Sequence, residues 1–260
     1  MRTGIVYIRA HVLTHAQFQE IRAWRELHHL SDVYLKFDEK DMPYMEYWMM
    51  RYPTFLYMKK QPLNAVSEMF VYEENSLKEG NFEGLPVPLR GILIQNGLYR
   101  RECAMRMLKP SRVRHVESMT ELTVHLAKIH GYDADKAEIA GLFHDCTKAF
   151  SDHDNEVLMK LCAPEHMDRP KAVYHQYTGA YYLANVLGYP DPEVYDAIYH
   201  HTDGDDPKTL SKILYLADKL DPSRGYDVSD MICLAETDLE KAVVKERELQ
   251  LEFLRKEGKI

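Results

Sequence analysis

The chain has 260 residues, with 33 Lys and Arg against 41 Asp and Glu and a formal net charge of −8. That length accommodates two domains at roughly 100–200 residues each, and the apolar (45%) and charged (28%) fractions exclude a disordered chain. The acidic balance argues against a nonspecific nucleic-acid binder, but it leaves a nucleotide substrate open, because a bound metal supplies positive charge locally.

Four scattered cysteines (Cys103, Cys146, Cys162 and Cys233) form no CxxC pair and read as reduced thiols. The start of the chain lacks a signal-peptide apolar core. No run approaches the roughly 18 apolar residues of a membrane span. The expectation is a cytoplasmic protein that engages neither membrane nor nucleic acid.

Residues 1–100 are rich in Tyr and Met. They mix strand-like runs at 4–9, 32–37 and 54–58 with helix-like runs at 17–30 and 88–95, the last stopped at Asn96-Gly97. This pattern predicts a small α/β domain. Its stretch "DMPYMEYWMMRYP" is expected to be core and domain-contact surface, since large apolar residues usually pack.

From 101 to 260 the texture is helical. Ser111 is the expected cap of a helix reaching 130, with Gly131 as its stop. Further helices are expected at 135–148 and at 171–187, the latter ended by Gly188 and Pro190. Another follows Asp191, with Pro192 in its first turn. The last two are expected at 209–220, stopped by Asp221-Pro222, and at 229–256.

Nine of the thirteen histidines lie between His115 and His201. His115 sits on the apolar stripe of its helix with Met119, Leu122 and Leu126. His144 shares a face with the small residues Ala137, Ala140 and Gly141. His201 follows Val194 and Ile198 at helical spacing, which turns it inward and His200 elsewhere. Asp218 follows Leu214 by four residues, and His175 is one turn from Gly179. A single histidine on such a stripe is more often a hydrogen-bonded core residue than a ligand. A buried carboxylate costs several kcal/mol unless it is paired or binds a metal. His115, His144, Asp145, His175, His201 and Asp218 together therefore point to a shared metal site. Imidazole and carboxylate without thiolate suit Fe, Mn, Co or Zn in a non-structural role.

His115, the His144-Asp145 doublet and Asp218 match the H…HD…D signature of HD-domain metal-dependent phosphohydrolases. "RVRHVESMTELTVHLAKIHGYDADKAEIAGLFHDCTKAFS", "YHQYTGAYYLANVLGYPDPEVYDAIYHHTDG" and "LSKILYLADKLDPSRGYD" resemble the YqeK-type branch, which hydrolyses diadenosine tetraphosphate symmetrically to two ADP. The resemblance covers about residues 105–245. The shorter stretch "NSLKEGNFEGLPVPLRGILIQNGLYR" resembles the end of bacterial nicotinate-nucleotide adenylyltransferases. That family's phosphate-binding motif is not recognisable, so residues 1–100 are expected to be a degenerate remnant without adenylyl transfer.

The resemblance implies a mainly α protein, an all-helical HD-domain fold behind a smaller α/β domain. It also implies two metal ions, iron before Mn, Co or Zn. His115, His144, Asp145 and Asp218 would hold one, and His175 and His201 the second, with Asp145 bridging. Asp145 and Lys148 are the catalytic candidates. Lys148, Thr202, Gly204 and Arg224 are the candidate substrate contacts. The expected mechanism is attack by a metal-bridging hydroxide at a central phosphorus of a dinucleoside polyphosphate. A homodimer is a further implication. The alternatives are an HD phosphohydrolase for another nucleotide (a nucleotidase or an alarmone hydrolase) and a non-catalytic nucleotide sensor.

Overall fold

The structure is a computed structural model that describes residues 2–58 and 65–256. It divides into two compact units, Met1–Arg106 and Met107–Ile260. The whole is predominantly α-helical with a small N-terminal parallel sheet, as expected. No helix among the described residues is long and apolar enough to cross a membrane.

In the first unit, β1 (Thr3–Arg9), β2 (Asp32–Lys36), β3 (Phe55–Tyr57) and β4 (Ala65–Tyr72) form a parallel sheet in the order β3-β2-β1-β4. Helix α1 (His15–Leu27) connects β1 to β2, and α2 (Met42–Arg51) connects β2 to β3. The central strands carry the buried run Ile5, Val6, Val33 and Leu35. Phe18 of α1 stacks on Trp48 of α2 with ring centroids 4.3 Å apart. The Tyr/Met-rich stretch thus forms a helix whose Tyr44, Met45 and Trp48 are core. Both α2 and β4 are additions to the predicted elements. The alternation in β4 leaves Val66, Phe70 and Tyr72 exposed, so the strand lacks a run of buried apolar residues. The unit closes with α3 (Asn75–Lys78), α4 (Val87–Gln95) and α5 (Arg100–Arg106).

In the second unit, α6 (Pro110–Ile129) begins one residue before Ser111, with Lys109 as N-cap and proline in its first turn. Ser111 is therefore not the cap. Proline at the first helical position needs no N–H partner and presets the helical φ, which explains the earlier start. Helix α7 (Ala134–Phe143) is capped by Asp133, whose side chain accepts from the amides of Asp135 and Lys136. It stops at Phe143, well short of 148. The chain then runs through i→i+3 turns, Cys146 N to Phe143 O and Lys148 N to Asp145 O.

Helix α8 (Asp152–Cys162), capped by Ser151, was not predicted. Helix α9 (Tyr174–Tyr181) continues as a π-turn over Tyr182–Val186 before Gly188. Asp191 caps α10 (Pro192–His200), and α11 (Thr209–Lys219) ends just before Asp221-Pro222. The expected last helix is two, α12 (Ser229–Thr237) and α13 (Leu239–Lys256). Asp238 between them is extended, at φ −154°, and its carboxylate accepts from Lys241 N at 3.1 Å, so it starts a new helix. Helix α7 packs on α6 and α10, and α11 packs on α6, α10 and α13. These contacts draw α6, the turn after α7, α9, the end of α10 and α11 around one centre.

Candidate metal centre

Two groups of side chains each gather their ligand atoms within 4.8 Å: His115, His144 and Asp218, and His144, Asp145 and His201. All five residues are buried, and His144 belongs to both groups. Gly141 makes this possible on α7. A Cβ there would lie 2.8 Å from Thr120 Oγ1 and 3.0 Å from Thr120 Cα, so only glycine lets α7 press this closely on α6.

Three imidazoles are held the same way. His115 Nδ1 donates to Asp221 Oδ2 at 2.7 Å, His144 Nδ1 to Gly141 O at 2.8 Å, and His201 Nδ1 to Ile198 O at 2.7 Å. An imidazole that donates through Nδ1 presents the lone pair of Nε2. The Nε2 atoms of His115 and His144 are buried and have no hydrogen-bond partner. His115 Nε2 is 3.2 Å from Asp218 Oδ1 without hydrogen-bond geometry. His144 Nε2 is 3.6 Å from Asp145 Oδ2. His201 Nε2 stands 3.2 Å from His175 Nε2. Buried lone pairs aimed at carboxylates and at one another are costly unless something positive sits among them. The residues present therefore fit metal ions, and the all-N,O donor set fits borderline transition metals.

Charge follows the same geometry. Burial holds the His144 imidazole below its ordinary range, and burial with the nearby His201 holds His175 well below it. Burial, reinforced by His144, pulls His201 down to about 4. All three are thus neutral and able to ligate at pH 7. Burial alone would raise the carboxyls of Asp145 and Asp218. His144, His175 and Arg112 outweigh it at Asp145, and Lys219, His115 and His144 outweigh it at Asp218, so both stay below the usual carboxylate range.

His175 joins neither group of three. Its Nε2 is 3.2 Å from Asp145 Oδ1, and the Lys148 ammonium lies 2.9 Å from its Nδ1. Lys148 also donates to Ala172 O at 3.0 Å, and burial of the ammonium lowers its pKa. Arg224 donates to Asp218 Oδ1 at 2.8 Å. Thr202 N donates to Gln176 Oε1 at 3.2 Å. Gly204, at φ +62°, lies under the Tyr215 ring, where a Cβ would come within 2.7 Å. His200 faces away and pairs with Asp205 at 2.6 Å. Cys146 Sγ turns to Gly179 O at 3.7 Å.

Sequence reasoning missed two residues here. Asp221 is fully buried behind His115, but beside Pro222 it reads only as a helix stop. Arg112 pairs with Asp145, and its one-turn spacing from His115 was the available signal.

A family model described as HD domain matches residues 112–223. The symmetrical bis(5'-nucleosyl)-tetraphosphatase of Bacillus subtilis (strain 168) is 32% identical over 160 residues, which cover 60% of this chain and 86% of that protein. The chain belongs to the HD-domain hydrolases. A protein of Mycoplasma genitalium named probable nicotinate-nucleotide adenylyltransferase/Ap4A hydrolase is 27% identical over 239 residues, which cover 87% of this chain and 65% of that protein. A solved structure from Clostridium acetobutylicum, described as a predicted HD superfamily hydrolase involved in NAD metabolism, matches at TM-score 0.54 and 28% identity over 64% of this chain and 87% of that one. As an HD-domain hydrolase the chain is a metal-dependent phosphohydrolase whose two His/Asp groups are consistent with a dinuclear divalent-metal site.

Proposed function

We propose that this HD-domain hydrolase cleaves diadenosine tetraphosphate symmetrically to two ADP. The observation that carries the reading is the pair of His/Asp groups joined at His144, with cations of the chain on their carboxylates. The names of the B. subtilis and M. genitalium relatives support this substrate class.

In this reading His115, His144, Asp145 and Asp218 would hold one metal ion, and His175 and His201, with Asp145 shared, would hold the second. Asp145 suits that role because its Oδ2 faces His144 while its Oδ1 faces His175. Such ions, iron in our proposal, would supply Lewis acidity toward phosphoryl oxygens and water. Water adds to an inner phosphorus atom and ADP departs, so each product keeps two phosphates. Lys148, which now contacts both ring nitrogens of His175, would exchange them for a phosphate oxygen and leave that imidazole available as a ligand. Arg224 supplies a planar two-donor contact to another oxygen. Thr202 and Gly204 shape the loop over the site, tied down by Gln176 and Tyr215.

Residues 1–100 carry no adenylyl transfer in this reading. A phosphate in a parallel α/β unit docks on free amides at a helix N-terminus. At α1 the amides of Thr14 and Gln17 are taken by their capping box and that of His15 by Gly84 O, and the Glu74 carboxylate accepts from Thr14 Oγ1 at 2.7 Å. A cytoplasmic homodimer completes the proposal. The test is product identity: protein purified anaerobically is incubated with diadenosine tetraphosphate and the nucleotides are separated. ADP alone is expected, whereas AMP with ATP, or no turnover by metal-loaded protein, overturns the reading.

A further inference from the structure

We propose that Arg112 is a substrate-phosphate contact of this centre, and that its pairing with Asp145 is the resting position of that side chain. The inference rests on the proposed nucleotide hydrolysis and adds a residue to it.

The first argument is position. Arg112 lies one turn before His115 on α6, so it rises on the face that carries that imidazole. Its guanidinium reaches Asp145, and while Asp145 is 1% exposed, Arg112 is 33% exposed. The side chain thus spans from the buried groups to solvent, which is where a substrate must arrive.

The second argument counts donors. A guanidinium offers five N–H donors in a rigid fork. Asp145 takes one, and the buried Nε has no partner. A guanidinium whose only task was to neutralise Asp145 would be expected to use its paired donors on the two carboxylate oxygens. Here Asp145 Oδ1 faces His175 at 3.2 Å, so the fork engages one oxygen only. An oxyanion beside Asp145 satisfies what is left over.

The third argument is charge. In a chain of net charge −8, four cations converge on these few buried groups. Arg112 contacts Asp145, Lys148 contacts His175, and both Lys219 and Arg224 contact Asp218. When Asp145 and Asp218 give their oxygens to metal ions, two guanidiniums that cannot lose their charge remain beside them. A polyphosphate chain matches that arrangement, whereas a neutral substrate leaves both unpaired.

The experiment compares R112A and R112K with the unaltered chain. Metal content, ADP binding by calorimetry on metal-loaded protein, and steady-state kinetics with diadenosine tetraphosphate are measured on each. R112A should keep its metal, and both its ADP dissociation constant and its KM should rise about 10–100-fold, the scale of one charged hydrogen-bonding partner. R112K keeps the charge without the fork and should fall between the two. Loss of metal in R112A would make Arg112 a support for Asp145 and overturn the proposal. Unchanged ADP affinity and KM in both variants would also overturn it. If the unaltered chain binds ADP through Arg112 but leaves diadenosine tetraphosphate intact, the phosphate contact stands and the proposed reaction fails.

Discussion

Asp221 Oδ2 accepts a hydrogen bond from His115 Nδ1 at 2.7 Å, and that carboxylate is fully buried. Asp221 is itself held by Ser223, through its backbone amide at 2.9 Å and its hydroxyl at 2.6 Å. A rigid turn therefore fixes the ring of His115 and sets its Nε2 toward Asp218. Replacing Asp221 with Ala removes the acceptor and leaves a buried N–H unpaired. Metal affinity should fall roughly 10–100-fold, as it does when the hydrogen-bond partner of a ligating histidine is removed. D221N keeps a carbonyl oxygen and should lose less. Metal titration of the stripped proteins checks this, and equal affinity in D221A and the unaltered chain would rule the role out.

Asp145 is the residue assigned to both ions, its Oδ2 facing His144 and its Oδ1 facing His175, whereas His115 is assigned to only one. Truncation of Asp145 should therefore empty the whole centre, and truncation of His115 should empty part of it. Elemental analysis after equilibration with iron or manganese separates the outcomes. If H115A and D145A retain the same metal content, Asp145 does not serve both ions.

The inward set of histidines was legible because helical spacing alone decides facing. Val194 and Ile198 are fully buried, His201 is 1% exposed, and His200 pairs outward with Asp205. Spacing could not show that α7 ends at Phe143, because the turns carrying His144 and Asp145 sit against distant parts of the chain, Arg112 of α6 on Asp145 and Gly179 of α9 beside His144 O. Nor could it show Asp221, which sits beside a proline, where a stop signal hides a buried partner. Arg112 did carry the one-turn spacing from His115, but a charged residue reads as surface, and spacing alone does not pair it with Asp145. In the first unit, β4 escaped notice because much of its apolar surface faces out.

The histidines also set a pH dependence for the metal-stripped chain. An unfolded histidine titrates near ~6.5, and burial holds His144, His175 and His201 lower in the folded state, His201 at about 4. Between those values the unfolded chain binds more protons than the folded one. Stability is therefore full above about pH 7 and falls as the pH drops toward 4, by on the order of 3 kcal/mol for His201 alone. Thermal melts of the stripped protein should show Tm falling steadily across that window. Metal-loaded protein should resist the fall until protons displace the metal. A flat Tm from pH 7 to 4 would contradict the burial of these rings as neutral groups.

Two glycines give opposite expectations for the same substitution. In G141A the new methyl meets the Thr120 backbone at 3.0 Å and its hydroxyl at 2.8 Å. A backbone atom cannot rotate away, so α7 must shift from α6, at about 1–3 kcal/mol. Better helix propensity returns at most about 1 kcal/mol. In G179A the nearest atom is His144 O at 3.4 Å, close to an ordinary contact, and the propensity gain is retained. G141A should thus lower Tm and, because α7 leads into His144, also lower metal content. G179A should keep both near those of the unaltered chain. Calorimetric melts with metal analysis decide the point, and a G141A protein with unaltered Tm would mean that the α6–α7 contact yields without moving His144.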